Sequence, residues 1–296
     1  MTAAVLPLKF QVGARTLAAV PRRLVRVALS LDEVLGWRVP VLPVLSPGED
    51  GYLVTSLPVD RMQAIHAPGL LVRVRQRYRR YWIDLTAGEA AWLAGLSANA
   101  RAGLKRKARK LAAMPGFAIT RHAAPDEIAA FHPLARAVSA TTYQERLLGS
   151  GLPAEPAGLV ALAAADRVRA WLLWLDGAPV AYLACTADGA TLRYDHVGHD
   201  PERGSLSPGS VLQAEALRDL LAEGRFARFD FTEGEGQHKR GLATGGVECV
   251  DLLLLRPTLV NRATLAALAL FDRSVTLAKR AATHPAAARL AKRVRR

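Results

Sequence analysis

The sequence of 296 residues has only two cysteines, 26 acidic residues against 40 basic ones, and no long hydrophobic run. Cys185 and Cys249 cannot build a disulfide framework, and they show no metal-site spacing. The absence of a run of about 18 apolar residues excludes a membrane-spanning helix. With 51% hydrophobic and 22% charged residues, the composition is that of a globular chain and excludes a largely disordered one.

The shortage of acidic residues is concentrated in two segments. Residues 71–110 hold eleven Lys and Arg against two acidic residues, and residues 256–296 hold ten against one. The combined net charge of these two segments is greater than the formal net charge of the whole chain, +14. The rest of the chain therefore has a small net negative charge. Such basic patches attract the phosphates of nucleic acid, of anionic lipid or of a nucleotide-like cofactor.

The N-terminal region is rich in Arg, and its first acidic residue is Asp32. An Arg-rich start is found in transit peptides, but residues 8–12 and 24–27 alternate in the manner of strands, which favours a folded region. No apolar run of secretory-signal length follows the early charges. We therefore expect a cytoplasmic protein whose basic tail allows peripheral contact with an anionic membrane.

Residues 1–85 predict mostly strands, with a loop marked by Pro and Gly near residues 40–51. The predicted strand 71–85 carries four arginines on one face, which therefore needs solvent or an anionic partner. These arginines are Arg73, Arg75, Arg77 and Arg79.

A helix is predicted from the N-cap Ser97 to about residue 113, with a ridge of basic side chains. The pattern leaves two interpretations open, a solvated helix face or a surface that contacts phosphate. Met114-Pro115-Gly116 predicts a stop and a domain boundary. A second helix begins at Pro125, and Pro133 is expected to kink it or end it early.

Residues 169–255 predict a sheet in the order hairpin, strand, loop, helix, strand, strand. Asp176-Gly177 and Asp188-Gly189 mark the turns, and Gly224 ends the helix that starts near Ser210. This order is typical of an α/β or α+β fold with a mixed sheet. After Pro257 a helix is predicted over 260–280, followed by a basic end.

Two segments concentrate groups that are suited to binding or catalysis. The loop 203–210 delivers small residues to a helix start, where free N–H groups and the positive helix end can cradle a pyrophosphate. The segment 229–240 delivers three carboxylates, an imidazole and two cations at a strand end, as acid–base sites require. Its alternative interpretation is a charged surface loop. His196-x-x-His199 lacks further ligands nearby, so no metal is expected.

Taken together, these segments resemble the GNAT N-acyltransferase superfamily, in the branch of FemAB-like peptidoglycan aminoacyltransferases and acetyltransferases of bacterial polysaccharide (cellulose-biosynthesis type) clusters. The resemblance spans residues 80–256. The motifs that carry it are Tyr81-Trp82-Ile83-Asp84-Leu85, Leu96-Ser97 with the basic helix through Arg109, Leu175-Asp176-Gly177-Ala178-Pro179-Val180-Ala181, Leu206-Ser207-Pro208-Gly209-Ser210-Val211-Leu212, and Phe229-Asp230-Phe231 through Gly234 to His238-Lys239. The branch commonly has Tyr-Lys where this chain has His238-Lys239, so a role specific to Tyr is not carried over.

The resemblance implies tandem GNAT-like domains with mixed, mostly antiparallel sheets flanked by helices. Residues 1–115 would be a degenerate N-terminal domain, residues 116–256 the acyltransferase domain, and residues 257–296 a basic helical extension. It further implies acetyl-CoA or another acyl-CoA as co-substrate, bound between splayed strands. The expected cofactor-binding residues are Asp195, His196, Val197, Arg203, Ser207, Gly209 and Ser210.

For the reaction, an amine must lose a proton before it attacks the thioester carbonyl. The candidate catalytic residues are Glu233, Glu235 and His238 as bases, with Tyr194 or Tyr143 as proton donor to the leaving thiolate. The candidate acceptor-binding residues are Tyr143, Gln144, Glu145, Arg146, Asp230 and Lys239. The expected acceptor is a small amine or an amino sugar of polysaccharide or cell-envelope biosynthesis.

Two alternatives stay open. A FemAB-like aminoacyltransferase would use charged tRNA, with RNA phosphate on the basic helix 97–113, although no aromatic-stacking RNA motif is present. A non-catalytic protein would use its two basic segments to bind anionic membrane or nucleic acid.

Overall fold

The structure is a computed structural model, and it describes residues 3–12, 15–36, 38–142, 145, 151–234 and 236–283. The chain divides into two compact units, each with its own contacts. The first unit comprises Met1–Leu29, Trp37–Arg77 and Val250–Arg296, and the second comprises Ser30–Gly36 and Tyr78–Cys249. The domain boundaries expected near residues 115 and 256 stay predictions.

The first unit is built on strands, as the alternation near the N-terminus predicts. Strand β1 (Ala3–Val12) pairs antiparallel with β2 (Arg15–Ala28), and β2 pairs parallel with β3 (Gly51–Pro58). Helix α8 (Leu259–Thr283) covers these strands, with Leu265 and Leu268 packed in one apolar cluster with Leu8, Leu24 and Leu253. The predicted turn at residues 13–14 and the basic end 289–296 lie outside the described residues.

The arginine face of β4 (Leu71–Asp84) has an anionic partner in the same unit. Arg73 Nη2 lies 2.7 Å from Asp272 Oδ2 of α8, and Arg75 Nη1 lies 3.7 Å from the same oxygen. Part of the face is therefore neutralised within the unit, which answers the question that the sequence left open.

The second unit holds the remaining elements. Its helices are α1 (Leu31–Leu35), α2 (Gly88–Gly95), α3 (Ala98–Ala112), α4 (Pro125–Thr141), α5 (Ala157–Ala164), α6 (Pro208–Glu223) and α7 (Gln237–Leu242). Its other strands are β5 (Ala118–His122), β6 (Val168–Leu175), β7 (Ala178–Asp188), β8 (Thr191–His199), β9 (Arg228–Asp230) and the first half of β10 (Gly245–Leu255). The strand order is β10-β4-β9-β8-β7-β6-β5.

The sheet of the second unit has an apolar cluster on each face, because successive residues of a strand point to opposite sides. Trp171 and Leu183 pack with Leu212 and Leu217 of α6 on one face. On the other face, residues of β6 and β7 with the opposite parity pack against α4 and α5. The result is a mixed α/β fold, a mixed sheet flanked by helices. None of the helices within the described ranges is long and apolar enough to cross a membrane.

Local sequence signals explain most element ends. Ser97 accepts a hydrogen bond from Ala100 N and caps α3, and Asp176 and Gly177 both adopt positive φ in the β6–β7 turn. Gly224 ends α6 with φ of 64°. Pro133 was expected to kink α4 or to end it early, and the early end is wrong, since α4 continues to Thr141. Buried residues on both sides of Pro133, including Phe131 and Ala135, hold the helix against the cost of the missing hydrogen bond.

Candidate functional site

Strands β8 and β9 run parallel but pair only briefly. The last pair joins Arg193 and Asp230, beyond which residues 194–199 of β8 have no partner on that side within the described chain. Just after β9, Phe231 N donates to Tyr81 O, so the chain stays with β4, and Thr232 adopts φ of 60°. The end of the β8–β9 pairing therefore leaves a notch beside the unpaired edge of β8.

A β-bulge lies at the start of this notch. Ala184 pairs with His196 and Cys185 pairs with Tyr194, so Asp195 is the extra residue on β8. Without it, Tyr194 and His196 would point to the same side of the sheet. With it, Tyr194 packs in the α6-side cluster, whereas His196 lines a cavity with Leu159 of α5 on the opposite side.

The chain from β8 to α6 forms the predicted loop at the open end. A short 3₁₀ turn over Pro201–Leu206 leads to Ser207, which has φ of 57° and makes no side-chain cap on α6. Ser210 N and Val211 N donate to Ser207 O and close the first turn. Arg203 pairs with Asp176 at 3.5 Å, so its charge is partly engaged. The positive end of a helix of sixteen residues thus follows β8 after this short loop.

A cavity of about 290 Å³ is lined by the helices that follow the two diverging strands, together with α3. Helix α6 contributes Ser210 and Gln213, and α7 contributes His238, Gly241 and Leu242. Helix α3 contributes Asn99, Ala100, Gly103, Leu104, Arg106 and Lys107. We call this space the front cavity. It combines apolar walls with cations and amides, which suits an elongated ligand that carries phosphate.

Two titratable side chains lie next to each other between the notch and the front cavity. The rings of Tyr194 and His238 are 6.3 Å apart, and Tyr194 also contacts Phe229 and Phe231 edge-on. Partial burial, followed by the neighbouring Lys239 cation, lowers the pKa of His238 from its ordinary value of 6.5. Burial raises the pKa of Tyr194 well above the ordinary phenol value. At neutral pH the pair is therefore a neutral imidazole and a protonated phenol.

Two charged groups of segment 230–240, Asp230 and Lys239, are engaged with Arg80 of β4 and with backbone groups. Asp230 is fully buried and accepts from Arg80 Nε at 3.1 Å, from Arg80 Nη2 at 2.5 Å and from Thr232 N at 2.8 Å. Lys239 Nζ donates to the carbonyls of Phe231, Glu233 and Gly234 at 2.8, 2.8 and 3.2 Å. Burial lowers the pKa of Lys239, against the opposing effect of Asp230 and Glu233. These contacts fix the loop that follows β9.

A second cavity, of about 300 Å³, lies on the opposite face of β8, and we call it the rear cavity. Pro153, Glu155, Gly158, Leu159, Leu162, Thr186, Arg193, Asp195 and His196 line it. Asp195 accepts from Thr186 N at 3.2 Å and pairs with Arg193 at 3.0 Å. Burial lowers the pKa of His196, although the Asp195 carboxylate opposes the shift. The rear cavity therefore offers carboxylates and a neutral imidazole.

A known family model matches part of the second unit. Residues 98–240 match the family model described as an acetyltransferase (GNAT) domain. That range includes α3, the notch, the rear cavity and the lining of the front cavity except for Gly241 and Leu242. The fold is GNAT-like.

Solved structures of low sequence identity share this fold. The C-terminal domain (DUF2156) of a putative lysylphosphatidylglycerol synthetase from Agrobacterium fabrum is 14% identical, with a TM-score of 0.51, over 77% of this chain and 72% of that one. FemX is 10% identical, with a TM-score of 0.51, over 86% of this chain and 89% of that one. At these identities the likeness extends to the GNAT-like fold alone. No curated protein matches the chain significantly in sequence.

The GNAT-like fold brings several predicted cofactor residues together and separates others. Ser207, Gly209 and Ser210 lie at the start of α6, and Val197 packs on the same side of the sheet. The side chains of Asp195 and His196 instead face the rear cavity, so they can reach a cofactor in the notch only through their backbone. The cofactor roles stay predictions.

The predicted acceptor residues are only partly described. Glu145 accepts from Arg136 Nη1 at 2.5 Å and from Ser139 Oγ at 2.6 Å, and these hydrogen bonds lower the pKa of its carboxyl. Glu145 is thus held within the α4 region. Tyr143, Gln144 and Arg146, together with the candidate base Glu235, lie outside the described residues.

Sequence reasoning left out Gln213, Asn99 and Gly103, and it left the role of the α3 cations open. One signal was present, since Gly103 in the middle of a strongly basic helix costs helix stability without an evident local reason. The sequence gives no indication that Gln213 lines a cavity, because it lies among the buried apolar residues of α6. Only the tertiary structure shows what surrounds it.

Proposed function

We propose that the chain is an N-acyltransferase that moves an acyl group from acyl-CoA to an amine. The divergence of β8 from β9 is the observation that carries the proposal. The free edge of residues 194–199 can pair with an extended ligand through backbone hydrogen bonds, as a sheet edge pairs with an added strand. The pantetheine arm of CoA is such a ligand, because it is extended and contains two amides.

The start of α6 supports a site for the phosphates of the same cofactor. Its dipole favours an anion, and no side chain caps it, although Ser210 N and Val211 N already donate to Ser207 O. An acyl-CoA lying along the β8 edge with its pyrophosphate at Gly209 would bring its thioester towards Tyr194. This orientation agrees with the positions of the cofactor residues expected from the sequence.

The transfer needs three proton movements. His238 takes a proton from the ammonium form of the acceptor, and the free amine then attacks the thioester carbonyl carbon. When the C–S bond breaks, the Tyr194 phenol gives its proton to the leaving thiolate, and the excess proton on the new amide nitrogen returns to the Tyr194 phenolate. The lowered pKa of His238 and the raised pKa of Tyr194 suit these starting states. Glu233 is the second candidate for the base, and Glu235 the third.

The rear cavity is the proposed acceptor site, and the amine would pass beyond the paired part of β8 and β9 to reach His238 on the opposite face. The Glu155 carboxylate favours a cationic amine, whereas Asp195 is already paired with Arg193, and the polar lining accommodates the hydroxyls of an amino sugar. His196, at the bulge, would contact an acceptor there, and backbone N–H groups of β8 would stabilise the oxyanion of the tetrahedral intermediate. An acceptor from polysaccharide or cell-envelope biosynthesis would fit this description.

Calorimetric titration with acetyl-CoA and with longer acyl-CoAs tests the donor. Saturable binding of one of them, followed by amine-dependent thiol release, is the expected result. His238→Gln should lower the rate of thiol release by about 10²- to 10⁴-fold with little change in acyl-CoA affinity. Absence of binding by every acyl-CoA at low salt would refute the proposal.

A second candidate function is aminoacyl transfer from charged tRNA, which the exposed basic face of α3 favours. Arg101, Lys105 and Arg109 are exposed on this helix. Binding of tRNA that weakens steeply with salt and that is lost when these three residues become Ala would support this alternative. Retention of tRNA binding in that variant would exclude it.

A further inference from the structure

The front cavity contains a buried amide with an unused donor. Gln213 is 3% exposed, it lines the cavity, and its Nε2 atom has no hydrogen-bond partner within the described residues. A buried donor without a partner costs about 1–3 kcal/mol, so native proteins rarely keep one without a reason. A ligand that offers a carbonyl or phosphate oxygen in the cavity supplies that reason.

The rim of the front cavity carries cations from α3. Arg106 and Lys107 line it, and Lys107 Nζ lies 3.5 Å from Ser210 Oγ at the start of α6. One turn further along, Lys110 Nζ lies 3.5 Å from Ser205 O of the loop. In the part of the chain that the structure describes, none of these three cations forms an ion pair. Uncompensated positive charge beside a helix N-terminus indicates an anionic ligand.

Two glycines leave open space in the walls. A Cβ atom added to Gly103 of α3 or to Gly241 of α7 would meet no atom within 4 Å. Gly103 lies in a helix interior, where glycine is unfavourable relative to alanine. A ligand that approaches the helix backbone closely accounts for both positions.

We propose that α3 is the third wall of the cofactor site. Lys107 and Arg106 bind the phosphates of acyl-CoA from the side opposite the start of α6, and the Gln213 amide donates to an oxygen of the pantetheine arm. This inference rests on the proposed function, and it assigns phosphate recognition to a helix outside the notch itself. The phosphate-bearing end and the amide arm are then recognised by different residues.

The test compares charge-matched variants of one helix by calorimetry. Lys107→Met should weaken acetyl-CoA binding about tenfold to a hundredfold. Lys105→Met removes the same charge from an exposed position of α3 that does not line the cavity, and it should leave the affinity within about twofold of wild type. Equal affinities of the Lys107→Met variant and wild type, or equal losses in both variants, would overturn the inference.

A second comparison separates the amide from the cations. Gln213→Leu should weaken both acetyl-CoA and S-acetylpantetheine about fivefold, and the melting temperature should not fall, because a buried unpaired amide is removed. Lys107→Met should leave S-acetylpantetheine binding unchanged, since that probe carries no phosphate. A lower melting temperature with unchanged affinity in Gln213→Leu would assign Gln213 a structural role and contradict the proposal. Failure of wild type to bind any acyl-CoA would instead refute the proposed function itself.

Discussion

The loop after β9 and the front cavity differ in how their polar groups are used. In the loop, Asp230, Arg80 and Lys239 make hydrogen bonds to one another or to carbonyls. In the front cavity, the Nε2 donor of Gln213 has no partner and Lys107 forms no ion pair within the described chain. Crowded charges in a sequence can therefore serve to hold a loop, whereas unused buried donors indicate where a ligand binds.

The largest expected effect tests the structural side of this comparison. Asp230→Ala leaves the Arg80 cation buried without its carboxylate, and it should lower the free energy of unfolding by about 3–5 kcal/mol. Denaturation in urea measures the loss. Glu248→Ala, which breaks the exposed pair with Arg79, is the control and should cost less than about 1 kcal/mol. Similar losses in both variants would show that the Asp230 pair does not hold the loop.

The next-largest expected effect tests the proposed binding site for the cofactor phosphates. Gly209→Glu places a carboxylate in the first turn of α6, where a Cβ has ordinary contact at 3.5 Å from His199. The dipole favours this charge, so the melting temperature should not fall, whereas acyl-CoA binding should weaken about a hundredfold or more. Gly95→Glu, at an open position of α2, is the matched control and should bind normally. Normal acyl-CoA binding by Gly209→Glu would show that the cofactor phosphate does not bind at the start of α6.

A smaller effect concerns pH. Because the pKa of His238 is lowered from 6.5, the imidazole stays mostly neutral to a lower pH than an ordinary histidine does, and a base must be neutral to take a proton. The fall in the rate of thiol release at low pH should therefore have its midpoint below pH 6.5, with a loss of about tenfold per pH unit below that midpoint. A pH–rate profile of kcat/KM under saturating acyl-CoA measures this. If the His238→Gln variant shows the same fall in rate at low pH, the general base is a carboxylate such as Glu233 and not His238.

The smallest effect concerns Gly103. Gly103→Ala should raise the free energy of unfolding by about 0.5–1 kcal/mol, because alanine favours the helix and the added Cβ has open space. Gly116→Ala is the contrasting variant, since its φ of 65° and a backbone atom at 2.8 Å make it destabilising. Urea denaturation compares the two. A destabilised Gly103→Ala would mean that this part of α3 is already closely packed.

The sequence predicted the parts of the fold that depend on local chemistry. The cap at Ser97, the turn at Asp176-Gly177 and the end of α6 at Gly224 follow from residues within a few positions of each boundary. Pro133 misled because tertiary packing of α4 outweighs the local cost of a proline. The short helices α2 and α7 have too few turns for a periodic signal.

The candidate site was predictable where it lies on a contiguous segment. The loop 203–210 and the segment 229–240 stand out because small or titratable residues are neighbours in sequence. The front cavity could not be found in this way, since Lys107, Gln213 and Gly241 come from three helices separated by many residues. The bulge at Asp195 was also invisible, because it is defined by its pairing with β7.

That single inserted residue has a kinetic consequence. By turning Tyr194 and His196 to opposite sides of one strand, it places a titratable ring on each face of the sheet. In the reaction proposed above, donor and acceptor would then approach from different faces and would not block each other. Such an arrangement allows the two substrates to load in either order, and one product to leave while the other is still bound.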